Sequence, residues 1–166
     1  MYIPPAFAET DPAVLREFID GHGFATLVSE GGGEPFATHL PLLRETAADG
    51  GERLFGHFAK ANPHATFADG QRVLAIFHGP HTYISPTWYE APNTVPTWNY
   101  IAVHAVGVLC AIADRGLLRE IFAKLVAQYE SSLPRPWSMS AIDDDFSEKM
   151  LNGIVGFEIV VERLEG

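Results

Sequence analysis

From Phe24 to Ala113 the chain passes from one strand-forming segment to the next with room for a single short helix between them. "FATLVS" reads as a strand, "EGGGEP" as a flexible hairpin turn, and "FATHLPLL" as its return strand. The acidic, glycine-containing "RETAADGGE" turns the chain again into "RLFGHFA". "RVLAIFH" is a buried-looking strand, "TYIS" a short one, and a longer strand spans about Tyr100 to Ala113. "IVGFEIVVERLE" alternates and closes the chain. A parallel, doubly wound sheet needs a helix between most of its strands, and this order lacks them. Six or seven strands joined largely by hairpins fit a small antiparallel barrel with peripheral helices.

The helices lie around that run of strands. Asp11 caps and Pro12 opens a first helix whose stripe is Val14, Leu15, Phe18 and Ile19, and Gly21 or Gly23 ends it. Asn62 and Pro63 open a short helix that Gly70 closes. Asp114 caps the clearest helix, with Leu117, Leu118, Ile121, Phe122, Leu125, Val126 and Tyr129 on one face. "SSLPRPWSMSAIDDD" is irregular and "FSEKMLNG" a helical turn, with Asp143, Asp144 and Asp145 at its start. No repeat or linker divides the 166 residues, so a single domain over residues 1–166 is expected.

Charge and cysteine content exclude several functions. Formal charge is −10, from 21 acidic against 11 basic residues, with no basic run and no helix-turn-helix signature. Such a balance repels phosphate backbones and argues against direct DNA binding. Cys110, the single cysteine, excludes an intrachain disulfide and a CxxC metal site, and within "AVGVLCAIA" it reads as a buried structural thiol. The N-terminus shows no secretory signal and no apolar run reaches membrane-spanning length, so a cytoplasmic location is expected.

Three features carry chemistry. The connection from Phe77 to His104 concentrates Tyr83, Trp88, Tyr89, Trp98 and Tyr100 among prolines; it reads either as a core edge or as a stiff wall for a flat ligand. Asn99 adds an amide able to pair with a heteroaromatic edge. Lys60, at a strand exit before a capped helix, reads either as a phosphate anchor or as a solvated lysine. His39, His57, His78 and His104 all fall on strands and could converge on a metal, but no HxH, HxxxH or HExxH spacing supports it. No nucleophile is evident, so any redox chemistry belongs to a bound cofactor. From the residues alone, the expectation is a small β-barrel with a flat, phosphorylated ligand.

"ATHLPLL", "GHFAKANPH", "IFHGPHTYISPTWY", "VPTWNYIAVHAVG" and "IVGFEI", in this order, resemble the PaiB-type family of FMN-binding negative transcriptional regulators. The resemblance runs from "MYIPPAF" to "ERLEG". It implies a mainly β fold with peripheral helices, the FMN-binding split β-barrel related to pyridoxamine-phosphate oxidase. It also implies a homodimer with two flavin pockets at the interface and a small-molecule ligand. On this basis Lys60 holds the FMN phosphate, with His57 and Asn62 in the same segment; Thr38, His39 and Leu40 lie along the flavin, partly through backbone groups; and Trp98, Asn99 and Tyr100 complete the pocket, lent to the partner subunit. The implied function is a flavin-dependent oxidoreductase on an unidentified small molecule; no residue stands out as a proton donor, His39 and His57 being the candidates. The alternatives are a non-enzymatic regulator acting through a ligand or protein partner, and a haem-binding split barrel using the histidines. Against the family pattern, "APNT" is a short connection, and the family continues in a basic, polar tail where this chain ends at Gly166.

Overall fold

The computed structural model describes all 166 residues. The Asp11 carboxylate accepts a hydrogen bond from the Ala13 N–H at 2.8 Å and Pro12 starts helix α1, Pro12–Gly21, as capping chemistry dictates. Strands β1 (Phe24–Gly31) and β2 (Glu34–Pro41) form the first hairpin, turning through Gly32 and Gly33 at positive φ. The segment expected to be one strand divides at Leu42. Beyond it, β3 (Leu43–Thr46) pairs with β4 (Glu52–Ala59), whereas β2 pairs with β1.

β5 (Arg72–Ile84) and β6 (Thr97–Ala111) form a long ribbon, and β7 (Ile154–Glu165) fits between β6 and β4. The sheet is antiparallel throughout, in the order β2-β1-β5-β6-β7-β4-β3. Its two edge strands, β2 and β3, are joined covalently through Leu42, so one chain segment runs from one end of the sheet to the other and closes it as a barrel. The Leu42 N–H donates to the Gly23 carbonyl at 2.8 Å and its side chain is buried, which fixes the crossing point.

Alternation along the strands fills the barrel. Leu27, Leu54, Phe58, Ala75, Phe77, Phe157 and Ile159 point inward, and Leu15 and Ile19 of α1 join the same cluster. Burying a large side chain of this kind contributes about 2 kcal/mol. Helix α3 (Arg115–Glu130) covers the outside of β3 and β4, where Ile121 and Leu125 pack on Leu43 and Phe55. Helix α4, Asp144–Asn152, begins with the Asp143 carboxylate accepting the Phe146 N–H at 2.7 Å, so the acidic run is a helix start. Glu52 bonds Arg16 and Arg44, each at 2.8 Å, tying α1 to β3 and β4. Burial pushes the Glu52 carboxyl up, but these bonds outweigh it and hold it below the usual carboxylate range. No helix is long and apolar enough to cross a membrane.

The short helix α2 is His64–Phe67; as expected, the Asn62 side chain caps it by accepting the His64 N–H at 3.0 Å, and Pro63 already has helical backbone angles. One local expectation is corrected. Cys110 is half-buried, because alternation gives the inward position to Leu109.

Candidate functional site

A Gly-Pro pair shapes the site. The two strands expected at "RVLAIFH" and "TYIS" are one, because β5 continues through "HGPH" as a bulge: His78 pairs with Ala102 and His81 with Tyr100. Three steps on β5 thus match two on β6, so His78 and His81 leave the same face of the ribbon, where a regular strand would send them to opposite faces. Gly79 is required there, since a Cβ would lie 2.7 Å from the Phe18 ring and 3.3 Å from the Ile101 carbonyl. Phe18 in turn stacks on His22, with centroids 4.2 Å apart, and the Phe18 carbonyl accepts the His22 Nδ1–H at 2.9 Å at the end of α1.

These contacts bring His22, His78 and His81 to one groove of about 670 Å³, lined also by Phe24, Thr26, His39 and Tyr129. His39 Nδ1 lies 3.0 Å from Thr26 Oγ1, and burial raises the Tyr129 phenol above its ordinary value, so it remains a donor. The four imidazoles do not form a metal centre: no three His, Cys, Asp or Glu side chains converge as one.

A second feature is the opening beside β2. This strand pairs with β1 along Glu34–Pro41 and with no strand on its other side, leaving backbone N–H and C=O groups free. Lys60 lies just beyond the end of β4, exposed, with its N–H donating to the Gly153 carbonyl at 2.8 Å. Of the eleven Lys and Arg side chains, Lys60, Arg135 and Lys149 are the three without a carboxylate partner. Asn62 Nδ2 donates to Thr38 Oγ1 at 3.1 Å, which fastens the turn carrying Lys60 to β2.

Behind that turn lies a residue the sequence did not single out. His64 is fully buried, with Nδ1 2.8 Å from Thr38 Oγ1 and Nε2 2.8 Å from Ser29 Oγ. Phe58 and Phe67 stack on its ring, at centroid distances of 4.9 and 5.3 Å. Burial holds the imidazole below its ordinary pKa, hence neutral. One consistent proton order runs Asn62 N–H to Thr38, Thr38 O–H to Nδ1, and Nε2–H to Ser29. A histidine directly after a capping Asn-Pro pair is the signal that could have found it.

The nine expected cofactor residues therefore separate. Thr38 and Asn62 meet each other, but Thr38 points inward with Leu40, which is buried in the core. His39 points outward into the groove. His57 lies 5.4 Å from Phe122, under α3, with its pKa lowered by burial, and is not part of the groove. Trp98 and Tyr100 share a face of the ribbon with His81, and the Trp98 and His81 rings are 6.4 Å apart. Asn99, paired with Thr82, leaves the opposite face. His104 partners Ile76 on the sheet and titrates beside Glu165 and His78; burial is the main reason its pKa is lowered.

An antiparallel barrel opened along β2, with a free lysine at the opening, defines a split-barrel flavin-binding fold. Residues 1–163 match the family described as "Putative FMN-binding domain", and the chain belongs to that family. It is 39% identical over 166 residues to the Protease synthase and sporulation protein PAI 2 of Bacillus subtilis, covering 99% of this chain and 79% of that protein. Among solved structures it is similar to the flavocytochrome Anf3 from Azotobacter vinelandii, with TM-score 0.69, 15% identity, and 99% and 71% of the two chains covered. It is also similar to the FAD and heme binding protein from Mycobacterium smegmatis, with TM-score 0.65, 16% identity, and 95% and 71% covered. At those identities the two structures bear on the fold. The chain is thus a PaiB-like FMN-binding domain.

Proposed function

We propose that this chain binds FMN at the opening beside β2, in a homodimer, and uses it as an oxidoreductase acting on a small molecule. The observation that carries this reading is the free edge of β2 held next to an unpaired Lys60 by the Thr38–Asn62 hydrogen bond. Free backbone donors and acceptors suit the polar edge of a flavin ring, and the ammonium suits the phosphate. A β2 edge covered by another strand, or a Lys60 paired with a carboxylate, would not fit the group. When bound, FMN supplies hydride or single-electron transfer. Lys60 binds and orients it, Thr38 and Asn62 position Lys60, and His39 on the outward face can hold or move a proton at its free ring nitrogen.

The dimer is supported by exposed apolar surface. Trp98 is 60% exposed and Tyr100 64%, and Tyr83, Trp88, Tyr89 and Ile101 are exposed on the same projecting ribbon. A monomer rarely leaves so much aromatic surface in water. In the proposed dimer this ribbon, with Trp98 and Tyr100 on one face and Asn99 on the other, is lent to the partner's opening.

The absorption spectrum of the protein, purified and then desalted after addition of FMN, tests the reading. A retained two-band flavin spectrum is expected, with Lys60→Ala weakening FMN affinity at least about tenfold, a charge-assisted bond to phosphate being worth about 1.5–3 kcal/mol. Equal retention by both proteins would remove Lys60 from the site, and no retention by the parent would remove the proposal. A second reading, a regulator acting through a ligand or protein partner, is favoured by the name of the 39%-identical Bacillus protein, a sporulation protein. Direct contact with DNA finds no support in a charge of −10.

A further inference from the structure

We propose that the four-histidine groove is the substrate pocket of the FMN site and that it takes a small aromatic carboxylate. The chain has 21 acidic residues, yet none lines this groove. A second groove is lined by Glu9, Glu52 and Glu162 with Arg163, so the absence of carboxylates here is a local property. Its volume of about 670 Å³ lies within the range of small-molecule sites. The Phe24 ring, 64% exposed, offers an apolar wall, and the Trp98 ring extends that wall beyond His81. Imidazole N–H groups and the Tyr129 hydroxyl are available along the groove as donors to an anionic head group.

The hydrogen bonds give this site a proton requirement. His22 spends its Nδ1–H on the Phe18 carbonyl, so its Nε2 donates to an anion only after taking up a proton. A carboxylate entering the groove therefore favours the imidazolium form, and its affinity falls as pH rises. The charged and titratable neighbours are Asp20, already paired with Arg44 beside His22; Tyr129 on α3; and His104, with Glu165 and the N-terminal amine, beside His78. The inference rests on the FMN reading because His39 belongs both to the groove and to the strand that borders the proposed flavin.

Benzoate and its uncharged counterpart benzamide, titrated into the FMN-loaded protein between pH 6 and 8, separate charge recognition from ring burial. Calorimetry gives the affinity, and proton NMR follows the histidine ring resonances. Benzoate is expected to bind at least about tenfold more tightly than benzamide at pH 6, to lose that advantage towards pH 8, and to shift the groove histidines. His78→Gln and His81→Gln each weaken benzoate about tenfold with FMN content unchanged. Equal affinities for the two probes, or unchanged affinity in both variants, would overturn the proposal. Should the protein hold no FMN, the same titration on the flavin-free protein still reads the groove. Benzoate binding there supports an anion site while the flavin reading fails; its absence removes both.

Discussion

Replacing His64 by alanine tests whether the buried hydrogen-bonded imidazole holds the opening together. The ring is fully buried against Phe36, Phe58 and Phe67, so its removal leaves a cavity; large-to-small core changes of this size cost about 2–4 kcal/mol. Ser29 Oγ loses its partner in a buried setting, adding about 1–2 kcal/mol, whereas Thr38 keeps its bond from Asn62. The sum is roughly 4 kcal/mol, a large share of a stability on the order of 10 kcal/mol. Urea unfolding followed by tryptophan fluorescence, at fixed protein and FMN concentrations, measures it. The pH dependence supplies a second readout. Burial lowers the folded-state pKa of His64, so the unfolded chain binds the proton first. The stabilisation is present above about pH 6.5 and is lost as pH falls through the folded value, by at most about 1.4 kcal/mol per pH unit. His57 and His104 shift in the same direction, so the variant shows a shallower slope below pH 6.5, not a flat one. A loss below about 1.5 kcal/mol at pH 7.5, with the acid slope unchanged, would refute the account of His64 as a neutral, fully bonded core residue.

Gly79→Val places side-chain atoms in the Phe18 ring and is expected to lower stability by about 2 kcal/mol in the same urea assay. A loss under about 0.5 kcal/mol would mean that the bulge does not depend on this close approach. Trp98→Ala is expected to weaken self-association at least about tenfold, measured by sedimentation equilibrium. A parent protein that sediments at the mass of one chain at every concentration would remove the shared pocket from the proposal.

Much of the architecture was legible because it rests on local chemistry. Asp11 with Pro12, Asp114 and the Gly32–Gly33 turn each announce an element boundary through capping or backbone freedom, and the structure puts elements there. Pairing was harder to read. "FATHLPLL" is one apolar run, and nothing within it says that Leu42 hands the chain from β1's side of the sheet to β4's; that depends on which edge each half can reach. The groove was hidden for a related reason. His78 and His81, three apart, fall on opposite faces of a regular strand, and only a bulge opposite Tyr100 and Ala102 unites them. His22 had no strand to recommend it, coming from the end of α1. His57 looked equivalent to His39 along the sequence, yet the outward face of β4 is covered by α3 while that of β2 is open.

The packing that makes the barrel stable also decides where its chemistry can lie. Phe58, Phe77 and Phe157 fill the interior, so no ligand fits inside a barrel of this size. Reactive groups must therefore lie outside or at the opening. Register takes them there: His39, Thr26, Ile76, His104 and Glu165 follow one another across β2, β1, β5, β6 and β7 as successive partners on the outer face. Their immediate neighbours Leu40, Ala25, Phe77 and Ala105 are buried. A slip of one residue would drive the imidazoles into the core and expose the apolar set, so the register that secures the core also secures the row. The bulge between His78 and His81 departs from this rule, where the sheet has stopped enclosing a core. There, a local defect can re-aim His81 at little cost to packing, and the groove joins that released residue to Thr26 and His39 of the row and to His22, Phe24, His78 and Tyr129 beside it.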